Sequence, residues 1–285
     1  MNIGIIGLGL IGGSFGLAAK ATIPQLTRFG LDHNLEHEKE ALSLSLVDEV
    51  LTEQWLPKMD LIVVAVPVDK SIALLLDLLD KVNDNCLVMD VGSTKTALCK
   101  ALELHPKRNQ FLATHPIAGT EFSGPKAAFA TLFENKIQMV CETQKTRPDL
   151  LEWAQQWFRN MKMEIREMDP LAHDKHIAYV SHLSHISSFM LGKTVLEKEK
   201  DEKTIFDMAG SGFASTVRLA KSSPKMWTPI FKQNQKNILD VLTQYIENLE
   251  RFQTYLKQEN YDKLYEELEH ANTITPILNG ILNKQ

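Results

Sequence analysis

Four stretches of this 285-residue sequence hold the residue types that chemistry needs. The first is Gly7-Leu8-Gly9-Leu10-Ile11-Gly12, a G-x-G-x-x-G turn. Its glycines permit a tight turn, close approach of a pyrophosphate and close helix–sheet packing, with the phosphates on the positive end of the next helix. Alone the pattern is weak, but it follows a strand, opens a helix, and has Asp32 20 residues beyond Gly12. An acidic group there accepts hydrogen bonds from the adenosine ribose hydroxyls and repels a 2′-phosphate, and His33-Asn34 supplies no arginine, so NAD is expected over NADP. The second and third stretches are Asp90-Val-Gly-Ser93-Thr-Lys95 and Thr114-His115-Pro-Ile-Ala-Gly-Thr120-Glu121. His115, followed by proline at a strand end, cannot extend a helix. Near neutral pH its imidazole can take a proton from a substrate hydroxyl while hydride leaves for a nicotinamide. The fourth is two H-x-x-H pairs, His173/His176 and His182/His185, each on one face of a helix. Hydride transfer needs no metal and no third ligand is evident, so no metal site is expected; these histidines read as substrate contacts or satisfied helix residues.

Residues so far apart need a scaffold that brings them to one edge. Short β-rich runs (Asn2 to Ile6, Arg28 to Leu31, Leu61 to Val66, Leu87 to Val91, Phe111 to Thr114, Ile137 to Cys141) alternate with helical patterns such as Lys70 to Lys81 and Lys95 to Leu104. That alternation predicts an α/β fold: an N-terminal, doubly wound, parallel Rossmann-type sheet. Leu61 to Val66 is apolar at every position, as a central strand covered on both faces should be. Ligands of such sheets bind beyond the carboxyl ends of the strands, which puts Gly9, Asp32, Val66, Pro67, Ser93 and His115 along one cleft. After about Asp169 the pattern is helical, with breaks at Gly210 to Gly212 and Ser222 to Pro229. The expected division is 1–168 for the cofactor and 169–285 for a helical substrate and dimerisation domain. Ile238, Leu242, Tyr245, Leu249, Phe252 and Leu256 make one apolar seam, suited to packing within the domain or to a homodimer.

Composition narrows the partners. A net charge of −5 without a basic block argues against nucleic acid and anionic membranes. An anionic ligand must then be held by a few placed cations or helix ends. The first nineteen residues are uncharged, but six are glycine and no basic segment precedes them, so neither a signal peptide nor a membrane helix is expected. Three cysteines without a C-x-x-C pair argue against a disulfide framework and suit a reducing cytoplasm.

Several motifs together resemble the prephenate and arogenate dehydrogenases of tyrosine biosynthesis. They are Gly7-Leu-Gly-Leu-Ile-Gly-Gly-Ser14, the Asp90 and His115 stretches, His173-Asp174, Ser181-His-Leu-Ser-His185, Gly210-Ser-Gly-Phe213, Arg218-Leu-Ala220 and Met226-Trp227. The resemblance implies NAD-dependent oxidative decarboxylation of prephenate to 4-hydroxyphenylpyruvate, with arogenate as the alternative substrate. It implies that His115 is hydrogen-bonded to the ring hydroxyl, that Ser93 assists at that hydroxyl and the nicotinamide, and that Arg218 binds substrate carboxylate. His182, Thr120 and Glu121 would line the pocket, with Trp227 nearby, from the same chain or from the partner subunit of a homodimer built from the helical domains. Ser215 stands where the family often has aspartate, which removes the acidic half of an ionic gate near Arg218. The length leaves no room for a fused mutase or regulatory domain, as in a monofunctional form. Two rival readings are a β-hydroxyacid dehydrogenase, for which Lys232 and Lys236 lack the glycine-flanked setting, and a non-catalytic NAD-sensing protein, which would need no Ser93 and His115 pair.

Overall fold

A computed structural model describes residues 1–200, 202 and 204–282. Its strands are β1 (Asn2–Ile6), β2 (Thr27–Leu31), β3 (Glu49–Val50), β4 (Leu61–Val64), β5 (Leu87–Asp90), β6 (Phe111–Pro116), β7 (Ile137–Cys141) and β8 (Glu164–Glu167). They form one sheet in the order β3-β2-β1-β4-β5-β6-β7-β8. The fold class is the expected one, and the six predicted strands are all present. The sheet is not wholly parallel: β7 pairs antiparallel with β6, and β8 runs parallel to β7. The segment between β6 and β7 holds only a short 3₁₀ turn, Pro125–Ala127, and without a crossover helix the chain returns antiparallel. Two strands fall outside the expectation. β3 has only two residues, and β8, Glu-Ile-Arg-Glu, has the charged character of an exposed edge.

The helices α1 (Leu10–Thr22), α2 (Leu35–Ser43), α3 (Val68–Lys81), α4 (Thr96–Leu102) and α5 (Pro148–Asn160) cover the sheet. β4 shows why its run is apolar throughout. Leu61 and Val63 face a core with Phe15 of α1 and Trp157 and Phe158 of α5, whereas Ile62 and Val64 face a second core with Leu75 and Leu79 of α3 and Leu98 and Leu102 of α4.

Beyond β8 the chain is helical. Asp169 caps α6 (Pro170–Ile177) by accepting from the amides of Leu171 and Ala172, with Pro170 at the first position. A π-helical turn, Ala178–His182, joins α6 to α7 (Leu183–Glu199), so the four histidines do lie on one continuous helical run. α8 (Ser211–Val217) and α9 (Pro224–Gln233) follow. The expected breaks are shorter than predicted: Gly210 is already the N-cap of α8, and α9 carries Pro229 within it. Residues 1–234 form one compact unit. The second unit begins at Gln235 and comprises α10 (Gln235–Lys257), α11 (Tyr261–Asn272) and α12 (Thr275–Leu282). Along the α10 seam Ile238 is buried while Leu249, Phe252 and Leu256 are exposed.

Candidate active site

The strand order reverses between β1 and β4, and the glycine-rich turn sits at that switch point. Gly7 has φ +92°, and a Cβ there would lie 2.4 Å from the Ala65 carbonyl oxygen; at Gly12 it would lie 1.9 Å from the Gly7 oxygen. The protein's own backbone therefore closes both positions to side chains. At Gly9 no atom of the described residues lies within 4 Å of a Cβ. Packing does not demand that glycine, and the open space above it permits close approach of a ligand. Gly9 is the N-cap of α1, it offers no capping side chain, and no acidic residue stands in the first turn. The positive helix end is thus left for an anion. Leu8 and Leu10 are buried in the core, so these two can face a ligand only through their backbone, whereas Ile11 is partly buried against that core. Asp32 is held at the end of β2, where Oδ2 accepts from the Leu8 amide at 2.8 Å and Oδ1 from the Asn34 amide at 2.9 Å. Pro67 is the N-cap of α3, and Val66 packs partly on the second core beside the turn. An open helix end, a glycine with free space above it and a fixed carboxylate fit a dinucleotide.

At the next strands the material changes. Lys95 is fully buried, and its ammonium donates to the Asp90 carboxylate and to the Thr114 carbonyl oxygen at 2.7 Å. Asp90 also accepts from the amides of Gly92 at 3.0 Å and Thr114 at 3.2 Å. Burial pushes the Asp90 carboxyl up, against the pull of Lys95 and of these amides. This pair ties the loop carrying Ser93, which is partly exposed, to the strand carrying His115.

His115 Nδ1 lies 3.0 Å from His173 Nε2, and His173 Nδ1 lies 2.8 Å from Asp174 Oδ1. The Asp174 carboxylate accepts two further bonds, from the amides of Lys95 and Thr96, both at 2.8 Å. Burial would raise the Asp174 carboxyl, but the hydrogen bonds from His173, Thr96 and Lys95 outweigh it and hold it below its ordinary value. A carboxylate only accepts, so His173 bears its proton on Nδ1 and offers the lone pair of Nε2. His115 must then donate through Nδ1, which leaves its Nε2 lone pair as the base. Burial, then the charges of His173, Lys95 and His182, hold the His115 imidazole well below its ordinary 6.5, so it is neutral at pH 7. This three-residue relay was not anticipated; His173-Asp174 was visible as a motif, but only the fold brings it under His115.

The remaining groups come from the π-helical turn, α7, α8 and α9. His182 is fully buried, and burial pushes its imidazole down to about 4. Asn234 Nδ2 donates to the Asp174 carbonyl oxygen at 2.7 Å and lies 3.2 Å from His182 Nδ1. His182 Nδ1 is therefore an acceptor and Nε2 carries the proton. Among the described residues that Nε2 and the Nε1 of buried Trp227 have no hydrogen-bond partner, which leaves two N–H donors for a ligand oxygen. Trp227 stacks on His185 with ring centroids 3.6 Å apart. The chain thus places its own Trp227 against its own histidines, one of the two origins left open for it. Half-exposed Arg218, at the end of α8, lies 3.3 Å from the Glu121 carboxylate. Burial first, then the positive charge of Arg218, keeps His185 below its ordinary value despite its bond to the Ser181 carbonyl. Thr120 is exposed, and its hydroxyl accepts from the Phe122 amide at 3.2 Å. Gln233, not anticipated either, accepts from Thr94 and donates to the Val68 carbonyl, both at 2.6 Å, and so pins α9 to the strand ends.

The model of the prephenate dehydrogenase nucleotide-binding domain matches residues 15–167, and that of the prephenate dehydrogenase dimerization domain matches residues 169–270. The chain belongs to the prephenate dehydrogenase family. A member from Bacillus subtilis, a prephenate dehydrogenase, is 32% identical over 265 residues, which cover 92% of this chain and 71% of that protein. A cyclohexadienyl dehydrogenase from Zymomonas mobilis is 29% identical over 273 residues, covering 95% of this chain and 93% of that one. Among solved structures, the prephenate dehydrogenase of Aquifex aeolicus in complex with hydroxyphenyl propionate and NAD+ aligns with a TM-score of 0.89 at 27% identity, over 98% of each chain. Like this family's two-part description, the candidate site draws on both matched segments: His115 lies in the first, His173, Asp174, His182 and Arg218 in the second.

Proposed function

We propose that this chain catalyses the NAD-dependent oxidative decarboxylation of prephenate to 4-hydroxyphenylpyruvate, with residues 1–168 holding the cofactor and residues 169–285 the substrate and the dimer contact. The observation that carries the reading is the His115–His173–Asp174 relay at the edge where the dinucleotide turn also opens. NAD+, when bound, supplies the hydride acceptor. The backbone of Gly7 to Gly12 would hold its pyrophosphate and Asp32 its adenosine ribose, with Val66, Pro67 and Ser93 further along the edge. His115 Nε2 takes the proton of the ring hydroxyl, and Asp174, acting through His173, stabilises the resulting imidazolium. The ring carbon that bears this hydroxyl gives up its hydride, the ring carboxylate leaves as carbon dioxide with its bonding electrons staying behind to aromatise the ring, and the proton returns from His115 to the phenolate oxygen.

Arg218 binds a substrate carboxylate, exchanging its contact with Glu121 for one with the ligand. His182 Nε2 and Trp227 Nε1 donate to substrate oxygens, and Thr120 and Glu121 border the pocket. The dimerization-domain match and the exposed Leu249, Phe252 and Leu256 support a homodimer. Among the described residues no helix is long and apolar enough to cross a membrane, and Cys86, Cys99 and Cys141 are buried free thiols, which suits the cytoplasm. The test is the absorbance of reduced nicotinamide when protein, NAD+ and prephenate are mixed. Rapid formation is expected; none with either prephenate or arogenate overturns the reading. Arogenate is the second substrate to assay, because a relative over nearly the whole chain is named a cyclohexadienyl dehydrogenase.

A further inference from the structure

Asn234 is the C-cap of α9, where its backbone amide donates to the Ile230 carbonyl oxygen at 3.0 Å. Its side chain reaches from there into the site. Nδ2 donates to the Asp174 carbonyl oxygen at 2.7 Å, and a carbonyl only accepts, so the side-chain amide is oriented with its NH₂ inward. His182 Nδ1 lies 3.2 Å from the same NH₂ and can only accept from it. We propose that Asn234 is a positioning residue that sets the polarity of the substrate pocket. By holding His182 in one tautomer it keeps Nε2 a donor, so that the pocket takes a carbonyl or carboxylate oxygen there and turns away an ammonium. This rests on the reading of His182 as a substrate contact.

The lock is held from both sides. His182, at the end of the π-helical turn, is buried together with Asp174 and Asn234. Gln233, next to Asn234, bonds to Thr94 and to the Val68 carbonyl, and Ile230 and Trp227 pack with Val68, so α9 cannot slide without breaking contacts at two strand ends. Trp227 and Phe231 stand edge-on to the His182 ring, with centroids 5.8 Å and 6.4 Å away, and hinder it from turning over. Trp227 Nε1, without a partner among the described residues, adds a second donor of the same polarity. Burial holds the imidazole down at about 4, against the pull of Asp174 and with the push of His185 and His173. Above that value the ring carries one proton, and which nitrogen bears it decides what the pocket accepts.

The tests read the proton and the pocket separately. Nitrogen NMR of histidine-labelled, full-length protein at pH 8, with the His182 ring identified by its loss in His182→Gln, should show Nδ1 bare and Nε2 protonated. A proton on Nδ1 overturns the proposal before any ligand is added. In Asn234→Asp the introduced carboxylate only accepts, so the proton should move to Nδ1 and leave Nε2 an acceptor. Asn234→Leu loses the same donor and the same bond to the Asp174 carbonyl, but supplies no acceptor. Calorimetric affinity for 4-hydroxyphenylpyruvate in the presence of NAD+ should therefore fall, relative to the unaltered protein at pH 8, on the order of tenfold or more in Asn234→Asp and about threefold in Asn234→Leu. At pH 6 the introduced carboxylate lets the ring take a second proton, both nitrogens donate, and Asn234→Asp should recover to about the level of Asn234→Leu. Equal losses in the two variants at both pH values would make Asn234 merely structural and overturn the proposal. Unchanged affinity in Asn234→Leu would also overturn it, a result that stands even where Asn234→Asp folds poorly. Failure of the unaltered protein to form reduced nicotinamide with prephenate or arogenate would overturn the functional reading, whereas the protonation of the His182 ring still tests the lock.

Discussion

At the β1–β2 end of the sheet edge the candidate site is made of backbone. Gly7 and Gly12 are closed by carbonyl groups, Gly9 has free space above it, and the one charged side chain, Asp32, is oriented by two amides. At the β5–β6 end it is made of side chains, namely buried Lys95 on Asp90 and partly buried His115 on buried His173 and Asp174. The first end works through what is missing and is harmed by adding atoms. The second works through what is present and is harmed by removing them.

The largest effect should come from subtraction at the base. His115→Asn should lower kcat by a factor on the order of 10² to 10⁴ while the calorimetric Kd for NAD+ stays near its original value. Near-native turnover would remove His115 from the mechanism. Next is the buried pair. Lys95→Met leaves Asp90 buried without its cation, and because the carboxyl can escape by protonating, the expected loss of stability is at the low end for a broken buried pair, about 3 kcal/mol in urea unfolding. A loss below about 1 kcal/mol would mean that the pair does not anchor this end.

Asp174→Asn separates orientation from base strength. An asparagine at this position can donate to His173 and so reverse the tautomers along the relay, and kcat should fall on the order of 10²-fold with little change in KM. An equal rise in KM would instead point to a disturbed pocket. At the backbone end the order of effects inverts. Gly9→Ala should leave stability within about 0.5 kcal/mol, since nothing meets the new methyl, while weakening NAD+ binding about tenfold or more. If it binds NAD+ normally, Gly9 does not face the cofactor.

The same division explains what the sequence could say. Gly7, Gly9, Gly12 and Asp32 lie within a single β-turn-α-β unit, so local spacing revealed them. The relay could not be found that way, because His173 stands 58 residues from His115 and meets it only when α6 docks across the strand ends. His173 was read as one half of an H-x-x-H pair, yet its helix turns it towards β6 and Asp174. Asn234 and Gln233 carried no motif at all; each acts by bridging α9 to groups far away in sequence. β3 and β8 escaped for a different reason, being edge strands with too little apolar surface to leave a pattern.

The last expectation concerns how the side-chain end responds to acid. His115 sits well below 6.5 because of burial and neighbouring positive charge, so the acid limb of kcat/KM should lie below pH 6.5. A limb at or above 6.5 would mean that another group limits the reaction. Stability follows the same sign. When a folded-state pKa is below the unfolded one, the unfolded chain binds more protons between the two values, so stability is complete above the unfolded value and is lost as pH falls towards the folded one. For His182 that window runs from 6.5 to about 4. It corresponds to about 3 kcal/mol at most. The lowered Asp174 carboxyl has the same sign but acts below about pH 4, outside this window. Urea midpoints should therefore decline between pH 7 and pH 4.5, and the decline should be shallower in His182→Gln, which has no proton to gain. Equal slopes in the two proteins would mean that His182 does not control the acid response, which would then have to come from His115, from His185 or from the carboxylates.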